Sequence, residues 1–241
     1  MKNIFDSWIA KTPIAHRGLH DKHTPENSLP AFKKAIEKGY AIEIDLQMTK
    51  DGVLVVFHDD FLDRMSDAKG DVREKTFDEI KNLVLKNSNE KIPTFSEFLS
   101  LINGKTPVLI EIKDHPNIGV AEEKIAKQLA DYKGEFAIQS FNPFIVKWFK
   151  QNTDFYAGIL SCFFCDVKLA WYKKLMLKNL YLLKNVKADF VSYEANAGYT
   201  FNKLKKLKNK KPILFWTVKS FEDMKKYKQV CDNVIFENFL P

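Results

Sequence analysis

The sequence predicts a (β/α)8 barrel on three observations. Short apolar runs alternate with helix-period segments from end to end. Eight such runs remain once one hairpin is set aside, each followed by a helical segment except the last. The 241 residues are about the length such a barrel takes. A doubly wound open sheet shows the same alternation and is the alternative.

The elements follow in order. Residues 13–15 form a short strand. NSLPAFKKAIEKG then reads as a helix, with Asn27 as N-cap, Pro30 in the first turn and Gly39 as the stop. IEIDLQ, within a strand over 41–47, alternates apolar with polar side chains. The run 53–57 follows after only five residues, too few for a parallel crossover. It therefore turns back, with Asp51-Gly52 as the hairpin turn. Residues 61–102 read as an insertion on one rim of a single domain spanning 1–241. Within it Thr76 and Thr94 look like N-caps, with Glu79 and Glu97 closing capping boxes. Further strands are expected at 107–112, 136–139, 155–160, 189–193, 213–218 and 233–236. Helices are expected at 117–132, 143–151, 167–184, 201–209 and 221–228.

Composition bounds the function. The formal charge is +7, and only Arg17, Arg64 and Arg73 are arginines. Grooves that read nucleic-acid bases lean on arginine forks, so no nucleic-acid partner is expected. Three cysteines make no disulfide framework. No stretch reaches the roughly 18 apolar residues of a membrane span, and the N-terminus carries no signal-peptide core. A soluble, cytoplasmic setting is the expectation; oligomeric state is open.

Chemistry collects at the strand ends, where barrel sites are built. Glu43 and Asp45 share one strand face, and with Glu111 they make a three-carboxylate cluster. Such a cluster suits one hard divalent cation, Mg²⁺ or Ca²⁺; a structural ion-pair network with Arg17 or Lys113 is the competing account. His16 and His58 end two different segments and can divide general acid and base work. Arg17 and Lys113 are donors of the kind that hold a phosphate, and Gly18 permits close backbone approach after the first strand. Together these residue types suggest cleavage of a phosphodiester.

The ordered motifs IAHRGLHDKHTPENSLPAF, IEIDLQMTKDGVLVVFHDDFLDRMSDAKGDV, IPTFSEFL and IEIK resemble the glycerophosphodiester phosphodiesterase family, densely from about residue 14 to 113. The match loosens through QSFN, GIL and FWTV. The resemblance implies a (β/α)8 barrel that hydrolyses glycerophosphodiesters to glycerol 3-phosphate and an alcohol. It places Mg²⁺ or Ca²⁺ on Glu43, Asp45 and Glu111, and catalysis on His16 and His58. Phosphate contacts fall on Arg17 and Lys113, an aromatic near the glycerol on Trp216, and Glu26, in the site region, is counted with these as substrate-binding. The family route has the substrate's own 2-hydroxyl attack phosphorus. Two departures stand out: PENS for PENT, and Phe236-Glu237 where the family has Thr-Asp. Alternatives are a phosphodiesterase for lysophospholipid or sphingomyelin-type lipids, and a non-catalytic anionic headgroup binder on the same barrel.

Other features carry weaker readings. Cys162 and Cys165 have C-x-x-C spacing without a second ligand pair, so no redox or metal role is expected. His20, His23 and His115 read as solvated loop histidines, His115 being the one to test. Residues 169–185 are amphipathic and basic; packing of a barrel helix on its sheet is the favoured reading, and peripheral membrane contact the other.

Overall fold

A computed structural model describes residues 3–164, 169–195 and 201–241; within the last segment it leaves the side chains of Phe201 and Lys203 aside. Its strands are β1 (Ile14–Ala15), β2 (Ala41–Met48), β3 (Leu54–Val56), β4 (Val108–Ile112), β5 (Phe136–Ser140), β6 (Ala157–Ser161), β7 (Phe190–Glu194), β8 (Ile213–Val218) and β9 (Asn233–Phe236). Its helices are α1 (Trp8–Lys11), α2 (Leu29–Glu37), α3 (Phe77–Ile80), α4 (Phe95–Ile102), α5 (Val120–Ala130), α6 (Pro143–Asn152), α7 (Trp171–Lys178), α8 (Phe201–Lys208) and α9 (Phe221–Tyr227). The fold is a (β/α)8 barrel, with β3 as the hairpin excursion after β2. Two compact units divide the chain: Ala15–Phe136, and Met1–Ile14 with Ala137–Pro241.

In Ala15–Phe136, β2 is the organising strand. It pairs parallel with β4, placing Asp45 opposite Glu111, and antiparallel with β3, placing Leu46 opposite Val56. The parallel pair requires a crossover, and α4 packs on α2 there, its Phe98 ring 4.8 Å from Phe32 in an edge-on contact. The last part of the expected insertion is thus the ordinary crossover helix. The preceding stretch carries a small core of its own, in which Val55 and Phe57 meet Leu62, Val72, Ile80, Leu85 and Ile92. Both capping boxes form. Glu97 accepts from the Thr94 backbone N–H while the Thr94 hydroxyl accepts from Glu97 N, and Glu79 accepts from Thr76 N.

Asn27 is not the N-cap of α2. Ser28 takes that place, its hydroxyl accepting from Ala31 N, because Asn27 sits in the left-handed region at φ 54° and its side chain points elsewhere. The turn before it is equally constrained. Gly18 has φ 79°, and a Cβ there would lie 2.9 Å from the Ala31 carbonyl carbon, so the turn after β1 approaches α2 as closely as only glycine allows.

In the other unit β5, β6, β7, β8 and β9 pair in sequence order, all parallel in the registers β5–β6 through β8–β9. Asn233 ties the N-terminal segment to β9, donating to the Ile9 and Thr12 carbonyls at 2.9 and 2.7 Å. One element departs from expectation. The helix expected over 167–184 is α7, eight residues long, and none of the eight is buried. It stops because Leu180 turns left-handed at φ 56°, letting Tyr181 N reach the Met176 carbonyl and Leu180 N the Leu177 carbonyl. The stretch 169–185 therefore packs in part: α7 itself buries none of its eight residues, while Leu180 and Leu183 beyond it are buried. Residues 167 and 168 of that expectation, and Cys165 of the C-x-x-C pair, lie outside the described residues. Cys231 is buried, and burial pushes its thiol up to about 12.

Candidate active site

Alternation along β2 sends Ile42, Ile44 and Leu46 to one face and Glu43, Asp45 and Gln47 to the other, all six buried. The parallel register then sets Glu111 beside Asp45. One carboxylate oxygen each from Glu43, Asp45 and Glu111 lies within 4.8 Å of the others. Three converging carboxylates out of water repel one another. Burial, then Asp45 and Glu111, drive the Glu43 carboxyl well above its ordinary range.

Two cations and an amide hold this cluster together. Lys113 Nζ lies 2.7 Å from Asp45 Oδ1 and 2.5 Å from Glu111 Oε1. Arg17 Nε lies 3.1 Å from Asp45 Oδ2, and its backbone N–H donates to Glu43 Oε2 at 3.0 Å. Asn27 Nδ2 donates to Asp45 Oδ2 at 2.9 Å. The Lys113–Asp45 and Arg17 Nε–Asp45 contacts are ion pairs by distance but out of line for hydrogen bonds. Burial opposes ionisation of Asp45, yet Lys113, Arg17 and His58 outweigh it and hold the carboxyl far below its usual range. Lys113 is likewise raised, its burial outweighed by Asp45 and Glu111. The ion-pair network anticipated as the competing account is real. It leaves three carboxylates against two cations.

A chain of charges runs from this cluster to His58. Arg17 Nη1 donates to Glu26 Oε1 at 2.8 Å, and Arg64 Nη2 donates to the same oxygen at 2.6 Å. Arg64 also grips Asp59, through Nε at 2.5 Å and Nη2 at 3.0 Å. Asp59 Oδ1 lies 2.5 Å from His58 Nδ1. Burial raises the Asp59 carboxyl, but hydrogen bonds from Arg64 and His58 more than reverse it. An ionised Asp59 only accepts, so Nδ1 carries the hydrogen and Nε2 is the nitrogen left for other work. Gln47 fixes the backbone at this point, donating to the Phe57 and Asp59 carbonyls at 3.1 and 2.6 Å. His16 directly follows β1 and precedes Arg17, which adopts φ 55° and carries the N–H that meets Glu43.

The structure thus brings Arg17, Glu26, Glu43, Asp45, Glu111 and Lys113 into one bonded network, with His58 joined to it through Asp59 and Arg64. Trp216 belongs to the other unit, where its ring meets Phe141 edge-on at 5.5 Å, and Phe141 meets Phe164 at 6.0 Å. Its buried Nε1–H has no hydrogen-bond partner among the described residues. Glu237, one of the family departures, pairs with Lys219 at 2.8 Å. Three contributors were not assigned from sequence: Asn27, Asp59 and Arg64. All three sit in the quoted motifs, Asn27 disguised by its suitability as a helix cap. His23 is exposed, as expected of a loop histidine. His115 is not solvated: its Nε2 lies 2.9 Å from Glu122 Oε1, and Glu122 is fully buried. Next to Lys113, a cavity of about 280 Å³ opens between the ends of β2 and β4 and the start of α5, with Arg73 and His115 on its wall.

The sequence profile of the glycerophosphoryl diester phosphodiesterase family matches residues 16–239. The chain belongs to this family. It is 34% identical to a glycerophosphodiester phosphodiesterase of Caldanaerobacter subterraneus, over 93% of each chain. Among solved structures, a glycerophosphodiester phosphodiesterase of Thermotoga maritima superposes with a TM-score of 0.74 at 26% identity, covering 93% of both chains. An Oleispira antarctica phosphodiesterase, solved with the product sn-glycerol-3-phosphate, gives 0.76 at 24% identity over 93% of this chain and 92% of that one. Like those relatives the chain is a phosphodiesterase acting on glycerophosphodiesters. No helix among the described residues is long and apolar enough to cross a membrane.

Proposed function

We propose that the chain hydrolyses glycerophosphodiesters to glycerol 3-phosphate and an alcohol, using one divalent cation and two histidines. The observation that carries this reading is the trio Glu43, Asp45 and Glu111, buried and within 4.8 Å oxygen to oxygen. The donor set fits a hard cation, since all three ligands are carboxylate oxygens gathered at one point. Mg²⁺ or Ca²⁺ would be held by these three side chains. When bound it would supply Lewis-acid stabilisation of charge on the phosphoryl oxygens.

The chain's own residues do the rest. Arg17 and Lys113 orient the phosphate as donors already held by Glu26 and Glu111. His58 presents Nε2 because Asp59 holds Nδ1–H, so it takes or gives a proton at that one atom. His16 carries the second proton transfer, from the end of β1. Trp216, with an indole N–H that no described residue accepts, contributes to the glycerol contact. Glu26 belongs to the substrate-binding set and also holds Arg17, accepting from both Arg17 and Arg64.

The test is turnover. Purified protein with Mg²⁺ or Ca²⁺ releases glycerol 3-phosphate from glycerophosphocholine or glycerophosphoethanolamine, and a chelator stops it. Release of no glycerol 3-phosphate from any glycerophosphodiester, with either ion, would end this reading.

A further inference from the structure

Helix α7 turns an apolar face outward. Trp171, Tyr172, Leu175 and Met176 are spaced i, i+1, i+4 and i+5, so they share one face. That face is the exposed one: Trp171 is 77% accessible, Tyr172 50% and Leu175 48%. Tyr181, just past the helix, adds a further ring at 60%. The opposite face, with Lys174, Leu177 and Lys178, is half-buried. It is tied down by polar contacts. Ser161 Oγ donates to the Leu177 carbonyl at 3.1 Å, Tyr193 Oη donates to the Lys178 carbonyl at 3.0 Å, and Lys178 Nζ sits 4.4 Å from the Phe163 ring centre. The helix is anchored from beneath and offers its apolar side outward.

Charge says what covers it. Between residues 169 and 188 the chain has five lysines, Lys173, Lys174, Lys178, Lys184 and Lys187, and no acidic residue. Lys173 on the helix, and Lys184 and Lys187 in the segment that follows it, are exposed. A second copy of this chain laid face to face on the patch would set lysines against lysines. Trp, Tyr and Leu on one face, flanked by lysines, match the interface of an anionic bilayer: rings at the headgroup level, ammonium groups against lipid phosphates.

We propose that the α7 face docks the protein on anionic lipid membranes. The roles of His16, His58 and the carboxylates do not enter this inference. Docking would hold the enzyme at the surface where lipid-derived phosphodiesters are made.

The experiment is vesicle co-sedimentation with the full chain. Vesicles of pure phosphatidylcholine are compared with vesicles carrying about a third phosphatidylglycerol, at low and high salt. Wild type is expected to sediment with the anionic vesicles only, and binding should weaken steeply with salt. The charge-preserving variant W171A/L175A and the charge variant K173E/K184E/K187E should each lose about tenfold or more in binding. Both should keep wild-type turnover of water-soluble glycerophosphocholine and wild-type far-ultraviolet circular dichroism, showing that the fold is intact. In W171F the lipid-induced blue shift of tryptophan emission should disappear. Failure to bind anionic vesicles at low salt would overturn the proposal. So would wild-type binding by W171A/L175A, which would mark simple attraction of a basic protein. Self-association of the wild type that W171A/L175A abolishes, without vesicle binding, would assign the face to a second copy instead.

Discussion

Residues 15–136 bury four carboxylates: Glu43, Asp45, Glu111 and Glu122. Each has a named partner: Arg17 and Lys113 for the first three, His115 for the fourth. In residues 137–241 the buried polar side chains among those described are Gln139, Ser140, Ser161, Ser192 and Asn233, none of them charged. That half spends its strand ends on rings, Phe141 against Trp216 and Phe164, and turns one apolar helix face outward. Removing charge from water costs several kcal/mol per ion before pairing offsets it. The chain concentrates this cost on one side of its sequence and leaves an exposed apolar helix face on the other.

If that division is right, substitutions should sort by half. The largest effect is expected from the histidines. His58→Ala and His16→Ala should each lower kcat by about 10²- to 10⁴-fold, with the fold preserved by circular dichroism. Next come the residues that hold other residues in place. Asn27→Ala and Arg64→Ala should cost about 10- to 100-fold. Guanidinium added to Arg64→Ala should restore part of the rate, which a defect in folding alone would not show. A pH titration sharpens the same point. Burial and two neighbouring carboxylates raise Glu43, and a raised carboxyl must shed its proton to bind a cation. Affinity for Mg²⁺ should therefore rise with pH above the ordinary carboxylate range, and the slope should flatten in Glu43→Gln. Trp216→Ala, in the other half, should raise KM several-fold while kcat stays within about twofold, the mark of a lost uniform contact. Smallest of all, Thr94→Ala should lower stability by about 1 kcal/mol in urea melts through loss of the α4 cap, with kcat unchanged.

Much of this was legible in the residues. The period-2 face of IEIDLQ, the short link to VLVVF and the βα rhythm placed the strands within a residue or two, and β8 and β9 at their observed limits. Glu43, Asp45 and Glu111 could be grouped because strand alternation and parallel register are nearly deterministic. The misreadings share a cause. Asn27 and Ser28 are both good caps, and only the buried carboxylate of Asp45, 18 residues on, decides which is used. His115 looks like a loop residue until α5 presents Glu122 beneath it. The α7 stretch has the composition of a packed helix, and which face turns inward depends on Ser161, Phe163 and Tyr193, whose positions no local pattern encodes. Long-range partners set these choices.

The central claim is that Glu43, Asp45 and Glu111 gather one divalent cation. Anomalous diffraction from crystals soaked in Mn²⁺ measures this directly. A single strong peak between these three carboxylates, absent in crystals of Asp45→Asn, is the predicted result. A peak elsewhere on the chain, with Lys113 and Arg17 still closing the trio in the soaked crystal of an active enzyme, would contradict it.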